Sequence, residues 1–213
     1  MQVISYGLVF LSGAVAGRLL LFGTVGLISA RVESVPDHWL IDGKYASECW
    51  ALLNAGVWLL AFVYDRVSLQ TFECIFVFSI CFCISAVDIV IRKIPNILVL
   101  FLFAAAVLLM WNASFAHFQD HLIGMAVSTG LFLAPFLIGK RSGSGDIKYA
   151  AAIGIFLGLY YSLLAFVIMS ALFFLYASVL FLTKKGGFKT KIALGPYMSA
   201  GFVMAFLMLG GML

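Results

Sequence analysis

Charge is what this chain lacks. Only 10% of its 213 residues are Asp, Glu, Lys or Arg, where a soluble domain carries about a quarter. Nine acids and thirteen basic residues cannot cover a globule whose residues are 64% hydrophobic. A water-soluble enzyme is thereby excluded, and a polytopic membrane protein is implied. Helices are the default way to span, because lipid offers no partner to an open backbone group. No long alternating pattern speaks for a barrel. Cysteine is scarce as well: Cys49, Cys74, Cys81 and Cys83 make no disulfide framework. Cys81 and Cys83 point to different faces of a helix, which makes a poor metal pair and suggests buried, inert thiols. The first apolar run lacks a basic leader region and a small-residue cleavage motif, so it reads as a retained span. There is no long basic tract, and a net charge of +4 suits anionic headgroups; no nucleic-acid partner is expected. The aromatic residues (15%, with 21 Phe) read as lipid-facing packing and interfacial anchors.

What the chain has is apolar length. Runs fall at roughly 3–30, 48–64, 70–91, 96–113, 120–139, 147–159, 160–182 and 192–212, against about 20 residues for one crossing. The sixth is short, and a single bent helix over the sixth and seventh would give seven spans. Charge favours eight. One set of loops then holds Arg31, Lys44, Arg92, Lys93, Lys140, Arg141, Lys184, Lys185, Lys189 and Lys191, with Lys148 just inside a helix. The opposite set holds only Arg66. The positive-inside rule makes the rich side cytoplasmic and leaves both termini outside. The expected fold is all-α, with about eight transmembrane helices. Residues 1–45 form the first helix and a short cytoplasmic loop, and 46–213 form a membrane-embedded core. Arg18 lies within the first run, snorkelling or paired.

Acids inside apolar spans cost about 2.5–3.5 kcal/mol at mid-helix, so each asks for a reason. Asp88 lies in "FCISAVDIVIRKIPN", one helical turn inside Arg92-Lys93, or about 6 Å at the helical rise. Asp146 opens an apolar run in "GSGDIKYAAAIG". The plain readings are an i,i+4 ion pair between Asp88 and Arg92, and a helix cap at Asp146. Yet both acids fall at the cytoplasmic ends of spans, at about one depth. Two carboxyls held close share one proton near neutrality. The ionised one can take a proton from an attacking water, and the protonated one can donate to a peptide carbonyl. Gly143 and Gly145, flanking Ser144, allow positive φ and close backbone approach beside the acid. Ala150, Ala151, Ala152 and Gly154 allow tight helix packing near it.

With these residues in view, the chain resembles the type IV prepilin peptidases, the Gly-x-Gly-Asp membrane aspartyl proteases. "AVDIVIRKIPN" (86–96) is similar to their first catalytic segment, and "GSGDIKYAAAIGIFLG" (143–158) to their second. "ALGPYM" (193–198) resembles their Gly-Pro-aromatic stretch, and "YASECWALLNAGVWLLAF" (45–62) more weakly the segment after the amino-terminal loop. The likeness covers about residues 45–213. It implies removal of the short basic leader from prepilins and pseudopilins at the cytoplasmic face of the bacterial inner membrane. It makes Asp88 and Asp146 catalytic and Lys148 the counterpart of a family lysine. Pro95 and Asn96 would end one helix and start the next, and Gly195 and Pro196 would shape a helix entry. Glu48 matches a family acid. No metal and no cofactor are expected for the peptidase. Longer members carry two Cys-x-x-Cys pairs and methylate the new amino terminus with S-adenosylmethionine. Here only Cys49 lies near that loop, so methyl transfer is in doubt.

Other readings stay open at this stage. His117 and His121, with Asp120 between, have a spacing that can bind a metal, but they fall on the outer side, where interfacial histidines are ordinary. Glu33, Asp37, Asp42 and Glu48 are candidates to grip a basic leader. A proton- or cation-coupled transporter using the same aspartates is the rival class, and a non-catalytic pilus or secretion assembly subunit is a third.

Overall fold

A computed structural model describes residues 2–65, 67–110, 115–137, 143–184 and 192–210. All regular structure among them is helical: α1 (Gln2–Ser29), α2 (Ala46–Asp65), α3 (Leu69–Ile91), α4 (Asn96–Met110), α5 (Phe115–Leu137), α6 (Ser144–Leu182) and α7 (Gly195–Leu209). Stretches within α1, α2, α3 and α6 are long and apolar enough to cross a membrane, and α4 and α7 are shorter apolar helices. Of the basic residues that orient the expected spans, Arg66, Lys140, Arg141, Lys185, Lys189 and Lys191 lie outside the described residues.

The chain divides into two compact units, one running to Ile91 and the next starting at Arg92. In the first unit α1 packs on α2 and α3, so the first helix and the loop after it share a unit with residues 46–91. Lipid gives apolar helices no hydrophobic reason to associate, so close backbone contact must supply the attraction. Gly13 and Gly17 provide it. A Cβ on Gly13 would lie 2.8 Å from the Ala55 Cα and 2.9 Å from the Trp58 ring, and one on Gly17 would strike the Trp50 carbonyl. The connection from 31 to 45 is tied down at two points. The Trp50 indole N–H donates to the Leu40 carbonyl at 2.8 Å, and Ile41 buries itself with Ile28 and Val87.

The second unit is built around α6. Gly158 has φ 75 and ψ −177, which breaks that helix in two. Only glycine holds such a backbone at low cost. Packing against α7 gives the direction of each arm. Going up α7, Tyr197 meets Tyr176 and Phe173, and Gly201 meets Ala165; the second arm therefore runs opposite to α7. Ser199 meets Tyr149, and Phe202 meets Phe156; the first arm therefore runs with it. The arms are antiparallel, and the chain doubles back at Gly158. The question of one bent helix or two is thus answered within this unit by a reversal. A short arm from 144 to 157 is about 21 Å long.

Candidate active site

Asp88 lies in the last turn of α3 and is 5% exposed. Its neighbour Val87 is fully buried in the cluster with Ile28 and Ile41, which fixes that turn within the first unit. The helix stops at Ile91 because Arg92 takes φ 53, a left-handed cap position that more often holds glycine. Arg92 is thus outside the helix, and the helical i,i+4 register expected between it and Asp88 does not extend that far. The proline then keeps Ile94 from helical geometry. Pro95 and Asn96 do what their types suggest. The Pro95 carbonyl accepts the amides of Leu98 and Val99 at 3.1 and 3.3 Å, and α4 begins at Asn96.

Asp146 sits in the first turn of α6, but not at its cap. That position belongs to Gly143, whose carbonyl accepts the Asp146 amide at 3.0 Å and the Ile147 amide at 3.4 Å. Asp146 is the third residue of the helix, half-buried, with its carboxylate folded back over the cap. A Cβ on Gly143 would lie 2.7 Å from Asp146 Oδ2. A side chain there would require the carboxylate to shift; the Gly143 φ of −67 is open to any residue, so the expectation of positive φ does not apply here. Gly145 serves a second approach, since a Cβ there would lie 3.0 Å from that of Ile94. Exposed Lys148 donates from Nζ to Asn96 Oδ1 at 3.4 Å.

Thus Gly145 and Lys148, which flank Asp146 in the sequence, meet the turn that holds Ile94, Pro95 and Asn96, all within the second unit. Ser144 is exposed at the helix start. Gly195 and Pro196 form the first turn of α7, with Gly195 buried. The entry of α7 is linked to the Asp146 arm through a buried hydrogen bond of 2.9 Å between the hydroxyls of Tyr149 and Ser199. Glu48 is exposed in the first turn of α2, in the other unit, and Glu33, Asp37 and Asp42 are exposed on the preceding loop.

The first unit also holds a feature that no sequence motif marks. A cavity of about 410 Å³ lies within the first unit, lined by Trp39, Trp50, Leu53, Phe82 and Ile89 among others. Ser85, Ala86 and Ile89 bring it to the same turn of α3 that carries Asp88. Its wall is almost wholly apolar, so it can take an apolar side chain or chain segment. The aromatic cluster of 39–50 was a possible signal, but aromatics in a membrane chain are too common to single it out. Of the residues with metal-binding spacing, Asp120 and His121 are engaged with the backbone of α6. Among the described residues no three His, Cys, Asp or Glu side chains gather as a metal site. Cys81 and Cys83 are buried, and Cys49 is exposed.

The type IV leader peptidase family matches residues 75–181 of the chain. No curated protein and no solved structure matches it.

Proposed function

The chain belongs to the type IV leader peptidase family, and from that premise we propose that it is a membrane aspartyl endopeptidase. Its substrates are type IV prepilins or pseudopilins, cut after a short basic leader at the cytoplasmic face of the inner membrane. The observation that carries this reading is that the family match, 75–181, contains both Asp88 and Asp146, each in a helix-end turn. Chain connectivity is compatible with a pair. Asp88 and Ile94 are six positions apart in the sequence, a tether of at most about 20 Å, and Ile94 is the residue on which Gly145 packs.

In the proposed reaction one carboxylate of the pair takes a proton from water as the water oxygen attacks the scissile carbonyl carbon. The other, protonated, carboxyl gives its proton to the carbonyl oxygen. Collapse of the tetrahedral intermediate breaks the C–N bond: the leaving amine takes the proton that came from water, and a hydroxyl proton of the intermediate returns to the other carboxylate, which restores the pair. Apparent pKa values belong to the two groups together. The substrate's apolar helix lies among eight spans, its leader stays at the headgroups, and lipid surrounds the rest. The short arm supports this arrangement: about 21 Å is less than a hydrocarbon core of about 30 Å, which leaves room for a recess that admits water to Asp146. The peptidase reaction needs no cofactor, and S-adenosylmethionine enters only if methyl transfer is retained.

Mass spectrometry of a purified prepilin incubated with the protein, with and without S-adenosylmethionine, tests both points. Cleavage ahead of the apolar helix is expected. An intact prepilin would refute the reading, and a mass increase of one methyl group would add the second activity.

A further inference from the structure

The reversal at Gly158 opens two helix ends inside an apolar protein, and each end leaves backbone groups without helical partners. The start of α5 supplies them. Leu159, the first residue of the second arm, donates its amide to Asp120 Oδ2 at 3.3 Å. His121 Nδ1 lies 2.7 Å from the Ile155 carbonyl at the close of the first arm. A carbonyl can only accept, so Nδ1 carries the proton. The charges also suit the helix dipoles, with an acid at the N-terminus of one arm and an imidazole at the C-terminus of the other. Gly158 fits only as glycine: besides its φ of 75, a Cβ there would strike Asp120 Oδ2 and come within 4.0 Å of the His121 ring. Gly124, one turn along α5, lies against the same reversal, since its Cβ would be 2.5 Å from the Gly158 carbonyl carbon. Asp120, Gly124 and Ser128, four residues apart, form the stripe that meets the first arm, and Ser128 Oγ would lie 2.6 Å from a Cβ on Gly154.

We propose that Asp120 and His121 are positioning residues: they clasp the reversal at Gly158 and so fix the arm that carries Asp146. The catalytic consequence rests on the peptidase reading; the clasp itself does not. A rigid arm transmits the constraint, because Asp146 lies twelve residues from Gly158, about 18 Å along a helix. Opening the clasp frees the arm to slide or tilt, and a displacement of about 1 Å at a reacting group can cost on the order of a hundredfold in rate.

The test uses the full-length protein in detergent, with Asp120→Ala, His121→Ala and, as the rescue, Asp120→Asn, which keeps a side-chain oxygen for the Leu159 amide. Amide hydrogen exchange followed by mass spectrometry should rise in both alanine variants at 155–161 and also at 144–150, and stay near wild type in Asp120→Asn. On a prepilin, kcat should fall about tenfold in the alanine variants with KM unchanged, and Asp120→Asn should restore most of it. If one alanine variant does not fold, the other decides. Faster exchange confined to 155–161 with unchanged kcat would overturn the positioning role, and unchanged exchange throughout would overturn the clasp. A wild-type protein that cleaves no prepilin while exchange at 144–150 still depends on Asp120 would refute the peptidase reading and uphold the clasp.

Discussion

The two ends of the arm from 144 to 157 are built on opposite plans. At the Gly158 end, where Gly158 is itself buried, α5 engages the backbone at three points: Asp120 holds one amide, His121 holds one carbonyl, and Gly124 lets α5 press against the turn. At the Asp146 end, the start of the helix is open. Gly143 and Ser144 are exposed, Asp146 is half-buried, and Lys148 makes an exposed contact to Asn96. The same arm is therefore anchored far from its acid and left accessible beside it. A reacting group needs that combination, since it must be both held in place and reached by water and substrate.

Substitutions can break the contrast at either end. The largest effect belongs to the open end: Asp146→Asn, or Asp88→Asn, should lower prepilin cleavage by about 10²–10⁴-fold, measured by product mass, with little change in the melting temperature. Next comes the closed end. Gly158→Ala must adopt a backbone that costs about 1–3 kcal/mol and displace Asp120 as well, so thermal unfolding should occur at clearly lower temperature. Ser199→Ala removes the hydroxyl–hydroxyl tie between the arm and α7. The expected loss is about 0.5–1.5 kcal/mol, visible as a lower unfolding midpoint. Lys148→Ala should do least, below about 1 kcal/mol for an exposed contact, and should leave cleavage within a few-fold if this lysine only snorkels. A loss comparable to that of Asp146→Asn would instead make Lys148 part of the machinery.

Much of this was legible in the sequence for a physical reason. Spans are written in apolar length, which is why the runs at 70–91, 160–182 and 192–212 fall on helices. Asp88 and Asp146 stood out because carboxylates are costly in such runs. Pro95 and Pro196 announced helix starts through their own backbone limits. Other features depended on partners distant in the chain. The reversal at Gly158 looks in sequence like a soft spot between two apolar stretches; its sharpness comes from residues 120, 121 and 124, some thirty-five positions earlier. The spacing of His117, Asp120 and His121 is compatible with a metal and reads more simply as interfacial, but local spacing cannot reveal that two of the three are bonded to another helix's backbone. At Gly143 the positive φ that glycine allows is not used, since φ is −67, and the Asp146 carboxylate lies against the space left by the missing Cβ. The apolar cavity near Asp88 was hidden because its walls come from a loop and two helices of the same composition as everything else.

The most direct single measurement is the cleavage of a purified prepilin by the wild-type protein and by Asp88→Asn and Asp146→Asn, each checked for correct folding. Shared use of one water by two carboxyls requires both single variants to lose cleavage while the wild type retains it. Undiminished cleavage by either variant would contradict that chemistry.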